Sequence, residues 1–154
     1  MGRLDGQVVV VTGGLGFLGQ FFLRAIHELG GLGVSLDLHV PPMGTPVPPG
    51  YLLKCDITSR KQVIETARSI ESQIGPVYGL VNNAALNPVV SVRGLDNSGV
   101  FETYDPIDFA REWQVGLVGA VSCSQVFGHR MAMRQEGVIV NIASELGLVA
   151  PNQG

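Results

Sequence analysis

The sequence has no apolar run approaching the ~18 residues that a membrane-spanning helix needs. Its amino terminus opens directly into a strand-like segment, without the charged and apolar regions of a signal peptide. Charged residues are scarce, at 15%, and the net charge of −3 offers no basic surface for nucleic acid or an anionic membrane. There are only two cysteines, Cys55 and Cys123, too far apart in sequence for metal-ligand spacing. Both are expected to be buried thiols in a reducing, cytoplasmic setting, and no metal site is expected. Hydrophobic residues reach 45%, so 154 residues suffice for one domain with a real core, and disorder is not expected. Twenty-one glycines ask for tight turns and close backbone approaches.

Strand and helix patterns alternate. Gln7 to Thr12 is a continuous β-branched run, the mark of a strand covered on both faces. Residues 18, 22, 26 and 29 make an apolar stripe on a helix from Phe17 to Leu29, closed by Gly30-Gly31. Gly33 to Leu38 reads as a second strand, and the proline-rich His39 to Gly50 as a surface loop. Tyr51 to Cys55 is a third strand. From Thr58 to Ile74 the residues Val63, Ala67, Ile70 and Ile74 share a helical face, which Gly75-Pro76 ends. Val77 to Val81 is a fourth strand, followed by a long Gly/Pro/Asn-bearing stretch to Tyr104. Asp105-Pro106 reads as an N-cap and first-turn proline, opening a long helix towards Arg134. Gly137 to Ile142 is a fifth strand, and a Gly/Pro-containing tail follows. The pattern predicts an α/β fold with a doubly wound, Rossmann-like parallel sheet of about five strands in a single domain, with ligands at the strands' carboxyl ends.

Chemistry concentrates at those ends. Thr12-Gly-Gly-Leu-Gly-Phe-Leu-Gly19 joins a buried strand to a helix. Gly13 permits the sharp turn, Gly16 lets the backbone approach a pyrophosphate, and Gly19 lets helix and strand pack closely. A glycine pattern alone is weak, but an acid follows at the right distance. Asp37, 18 residues past Gly19, can accept both adenosine ribose hydroxyls and would repel a 2′-phosphate. No Lys or Arg stands at Gly14, Leu38 or His39 to neutralise that phosphate, so NAD is expected over NADP. Asp56-Ile57, Asn82-Asn83-Ala84-Ala85 and Asn141-Ile142-Ala143-Ser144 lie at the ends of the third, fourth and fifth strands. Alone, each reads as a turn or strand cap; together they fill one rim with small and amide side chains.

In order and spacing, TGGLGFLG, CDI, VNNAA and VIVNIAS resemble the short-chain dehydrogenases/reductases, from about Gly6 to Ser144. The glycine spacing resembles the extended branch of that family, and the later segments its other members. The resemblance implies that Gly13, Gly16, Phe17 and Leu18 line the cofactor's phosphate and ribose. It gives Asp37 the adenosine ribose, Asp56 and Ile57 the adenine edge, and Asn83, Ala84 and Ala85 the cofactor's middle. Ser144 matches the catalytic serine. The implied reaction is hydride transfer between nicotinamide and a small-molecule carbonyl or alcohol. VNNAALNP and the segment from Cys123 to Gln153 are also similar to oxidoreductases of bacterial surface-sugar and flagellin-glycosylation loci. Family enzymes usually dimerise through their fourth and fifth helices, so a homo-oligomer using the long helix before Arg134 is expected.

The sequence departs from the family twice. Gly116 stands where the family has an Asn that helps relay a proton. The family's Tyr-x-x-x-Lys pair falls a dozen or more residues beyond the serine, outside these residues. Tyr51, Tyr78 and Tyr104 are followed at the fourth position by Cys55, Asn82 and Asp108, so none can replace it. The chain is therefore expected to be a fragment without the C-terminal part of the family fold, binding NAD but inactive alone. A non-catalytic NAD-binding module and a nucleotide-sugar epimerase or dehydratase remain alternatives.

Overall fold

A computed structural model describes residues 3–41, 48–86 and 104–144. The centre of the proline-rich loop (42–47), most of the stretch before Tyr104 (87–103) and the tail (145–154) lie outside the described residues.

Five parallel strands form one sheet: β1 (Val8–Thr12), β2 (Leu32–Asp37), β3 (Tyr51–Lys54), β4 (Val77–Asn82) and β5 (Val138–Asn141). Their order is β3-β2-β1-β4-β5. The chain winds outward from β1 to β3, then crosses back to β4 on the other side of β1. The strand order thus reverses between β1 and β4, where the loops on either side diverge and open a crevice for a ligand.

The run of valines in β1 works because a β-strand presents alternate residues to opposite faces. Val8 and Val10 join one core with Val34, Leu36, Leu80, Val63, Ala67, Ile70, Cys123 and Phe127. Val9 and Val11 join a second core with Leu23 and Ile26. Helix α2 (Arg60–Gln73) and helix α4 (Ala120–Arg134) cover the first face, and α1 (Phe17–Glu28) covers the second. On α2 the buried residues are Val63, Ala67 and Ile70, with Ile74 packed beside them, as the periodicity predicts. On α1 the buried positions are Gly19, Leu23 and Ile26, so the stripe is rotated by about one residue from the expected 18, 22, 26 and 29. The physical reason is the close packing of Gly19, which turns Leu18 outwards.

The long helix is interrupted. It begins as α3 (Pro106–Trp113), where the Asp105 carboxylate accepts the Ile107 N–H at 2.8 Å. It widens into a π-helical segment over Gln114–Gly119 before continuing as α4. Glu71 on α2 ties the far end down, pairing with Arg130 at 2.8 Å and with Arg134 at 3.5 Å. Among the described residues no helix is long and apolar enough to cross a membrane, and no group of three or more His, Cys, Asp or Glu could hold a metal ion.

Candidate functional site

The site is built where β1 ends. Thr12 is buried there, and its hydroxyl donates to the Val81 carbonyl at 3.5 Å and accepts the N–H groups of Asn83 and Ala84, both at 3.0 Å. Gly13 then turns with φ +63°, a left-handed conformation that costs glycine nothing. Its small size also matters, because a Cβ there would lie 3.0 Å from the Cα of Ala84. The Asn83 side-chain amide donates to the carbonyls of Thr12 and Gly13 at 3.0 and 3.1 Å. The end of β4 is thereby fastened to the beginning of the glycine loop.

Gly16 caps α1 without any side-chain hydrogen bond, leaving the helix start bare of side-chain acceptors. A Cβ on Gly19 would sit 2.2 Å from the Gly13 carbonyl oxygen, so the first turn of α1 lies directly on the loop. Phe17 is 80% exposed and stacks edge-on to Phe21 with centroids 5.5 Å apart. Phe17 and Leu18 both stand outside the core in the first turn of α1.

Asp37 closes the same mouth from β2. Its Oδ2 accepts the Leu15 N–H at 3.1 Å, which fixes the carboxylate against the loop's outer bend. Gln20 braces that bend through the Leu15 carbonyl at 3.0 Å. Loop, helix start and carboxylate are of the kind a dinucleotide needs: a glycine-rich turn into a helix N-terminus that can take phosphates, and beside it a carboxylate that can accept ribose hydroxyls.

The other expected residues follow the ends of β3, β4 and β5, with differing commitments. Asp56 spends Oδ1 on the Thr58 N–H and hydroxyl at 2.9 and 2.7 Å, forming the turn before α2. Ile57 is a core residue, packed beneath Gly119. Beyond β4, Ala84 is half-buried and Ala85 exposed, and Ser144 is exposed three residues beyond β5.

The sequence points to a cofactor role for Asn83 but, although Thr12 and Asn82 stand in the same motifs, assigns none to these two residues that position its neighbours. Thr12 organises the β1–β4 junction, and Asn82 ties β4 to Ser124 and Asn141 at 2.9 and 2.8 Å. A threonine ending a buried strand before glycine, and a doubled asparagine, were the signals available.

None of the three tyrosines occupies this rim as a proton carrier. Tyr51 and Tyr78 lie at the starts of β3 and β4, the opposite edge of the sheet. The Tyr104 hydroxyl bonds to Glu112, and that bond, with the nearby acids, pushes its pKa up to about 12. A general base near neutrality needs the opposite shift.

Gly116 lies inside the π-helical segment, and among the described residues nothing comes within 4 Å of where a Cβ would be. It borders an open groove of about 310 Å³ lined also by Phe109, Glu112, Trp113 and Leu117. Among the described residues no packing demand explains a glycine there.

Residues 7–154 match the family model described as short chain dehydrogenase. Sorbitol-6-phosphate 2-dehydrogenase of Klebsiella pneumoniae is 28% identical over 147 residues, covering 95% of this chain and 55% of that protein. Acetoacetyl-CoA reductase of a Synechocystis strain is 28% identical over 144 residues, covering 94% and 55%. The chain thus spans little more than half the length of the curated relatives it matches. Among solved structures, NAD+-bound xylitol dehydrogenase superposes with a TM-score of 0.79 at 25% identity, over 97% of this chain and 57% of that one. A short-chain dehydrogenase of Leptospira borgpetersenii, at 23% identity, has the same fold with a TM-score of 0.81, covering 97% and 56%. With its five-stranded parallel sheet, its glycine loop and a family match over nearly its whole length, the chain belongs to the short-chain dehydrogenase family of oxidoreductases.

Proposed function

We propose that this chain is the nucleotide-binding part of an NAD-dependent oxidoreductase acting on a small-molecule alcohol or carbonyl. The observation that carries the reading is Asp37, whose carboxylate is held 3.1 Å from the Leu15 N–H at the mouth of the glycine-rich loop. A second negative charge there, the 2′-phosphate of NADP, would meet this fixed carboxylate. Relatives that include a sorbitol-6-phosphate dehydrogenase and a xylitol dehydrogenase support an alcohol, including a sugar derivative, as substrate.

NAD supplies the hydride chemistry when bound. The chain's own part is to hold and orient: Gly13, Gly16, Phe17 and Leu18 around the phosphates, Asp37 on the ribose, and Asn83, Ala84 and Ala85 along the middle. Asp56 shapes the adenine side through its turn, while Ile57 supports that turn from the core. Ser144 would donate a hydrogen bond to the substrate oxygen, which stabilises developing negative charge but moves no proton. Tyr51 and Tyr78 lie at the far edge of the sheet and Tyr104 is held by Glu112, so on this reading these residues bind cofactor without turning over.

Gly116 favours a second reading, a non-catalytic NAD-binding module, because the family's relay Asn is missing where no described residue stands in its way. Both readings require NAD binding; only the first requires turnover in the longest form of the protein.

Calorimetric titration with both cofactors is the test. NAD should bind about tenfold or more tightly than NADP, a difference of about 1.4 kcal/mol. Asp37→Ala should narrow that gap, and equal or reversed affinities in the unsubstituted chain would sink the assignment.

A further inference from the structure

Asn82 and Asn83 are consecutive, and they reach in different directions. Asn83 grips the glycine loop through the Thr12 and Gly13 carbonyls. Asn82 uses both amide hydrogens elsewhere, on Ser124 Oγ of α4 at 2.9 Å and on Asn141 Oδ1 at the end of β5 at 2.8 Å. Its backbone carbonyl accepts the Ile142 N–H at 3.0 Å, extending the β4–β5 pairing one step past the strand. Asn82 is 6% exposed, and its Oδ1 is buried without a hydrogen-bond partner.

That orphan acceptor is a cost. A buried, unpaired carbonyl oxygen loses its hydration and gains nothing back, whereas an apolar side chain of similar shape would carry no such penalty. Stability alone therefore gives little reason for an amide here. Placement does. Two donors on one short, buried, planar group lock the ends of β4 and β5 to α4 in a single register, and Ser144 follows Ile142 by only two residues.

We propose that Asn82 is a positioning residue for Ser144: it fixes the end of β5 from which that serine meets the substrate. The inference rests on the oxidoreductase reading for its purpose, but the bridge itself is tested without it. Asn83 holds the cofactor side of the site and Asn82 the substrate side, so the doubled asparagine sets the distance between them.

The experiment compares amide hydrogen exchange at Ile142 and at Val10, deep in β1, for the unsubstituted chain and for Asn82→Leu, Asn141→Ala and the double variant. NAD titration runs alongside. In Asn82→Leu the protection of Ile142 should fall about tenfold, the worth of one or two lost hydrogen bonds, while Val10 and the melting temperature barely move. Asn141→Ala approaches the same bridge from an exposed position, so it keeps the test open if the buried substitution fails to fold. The double variant should be no worse than the more damaging single one, since both remove the same contact. NAD affinity should stay within about twofold, because the Asp37 side of the site is untouched and a factor of two is only a few tenths of a kcal/mol. Equal loss of protection at Ile142 and Val10, or additive effects in the double variant, would overturn the proposal. Failure of the unsubstituted chain to bind NAD would instead defeat the functional reading and leave the exchange result standing.

Discussion

Two glycines in helices divide this molecule into a tight half and a loose one. Gly19 begins α1 against the loop, and a Cβ on it would lie 2.2 Å from a backbone oxygen. Gly116 sits in the π-helical segment with no described residue near where its Cβ would be. The surroundings differ in the same way. Every residue of β1 is buried, between α1 on one face and α2 with α4 on the other. In β5, Val138 and Val140 are 46% and 45% exposed on the face that α1 covers farther along the sheet. Helix α3 buries none of its residues and exposes Ile107, Phe109 and Trp113. The half that would grip the cofactor is completed by its own side chains. The half that would face the substrate presents apolar surface, and the relatives, nearly twice as long, have further chain of their own. A nucleotide site can be closed locally because its donors are backbone groups of one loop; a substrate pocket needs walls from several elements.

Gly19→Ala should break the tight half most severely. The new methyl cannot be accommodated without separating α1 from the loop, so stability should fall by about 1–3 kcal/mol. NAD binding should be lost with it. Denaturant titration and calorimetry together check this, and a variant that binds normally would show that the loop tolerates an opening.

A smaller effect is expected at the seam, where Cys55 and Cys123 lie in the shared core. Burial pushes both thiols up, Cys123 to about 12, with Cys55 nearby adding to the shift. A thiol whose pKa is raised on folding keeps its proton in the native state after the unfolded chain has lost it. Stability should thus hold below pH 9, the ordinary value, and fall as pH rises from 9 towards 12. The slope should approach about 1.4 kcal/mol per pH unit for each such thiol. Chemical denaturation at pH 8 and pH 10 measures it; a flat profile would mean that the thiols are solvated and the seam is open.

The loose half should respond least, and in the opposite direction. Gly116→Ala meets no neighbour and removes backbone freedom from a helix, so it should stabilise the chain by up to about 1 kcal/mol. Gly116→Asn should gain some tenths of a kcal/mol by the same reasoning. NAD affinity should not change. Thermal melts with a parallel titration decide it, and destabilisation would show that the glycine serves a packing demand.

Much of this was legible from the chain alone, because it depends on neighbours in sequence. The β-branched run from Val8, the Asp105-Pro106 helix start and the α2 stripe through Val63, Ala67 and Ile70 each follow from local periodicity or capping. Asp37 could be placed opposite the glycines by counting, since a strand, a helix and a second strand fix the distance between them. Tertiary structure decided what counting cannot reach. Gly19 rotates the buried face of α1, Ile57 is taken into the core beneath Gly119, and Tyr104 is committed to Glu112. Asn82 meets Asn141 across 59 positions of sequence. Those outcomes turn on which side chains arrive at one point in space and on the hydrogen bonds left to share there. Local spacing carries no record of either.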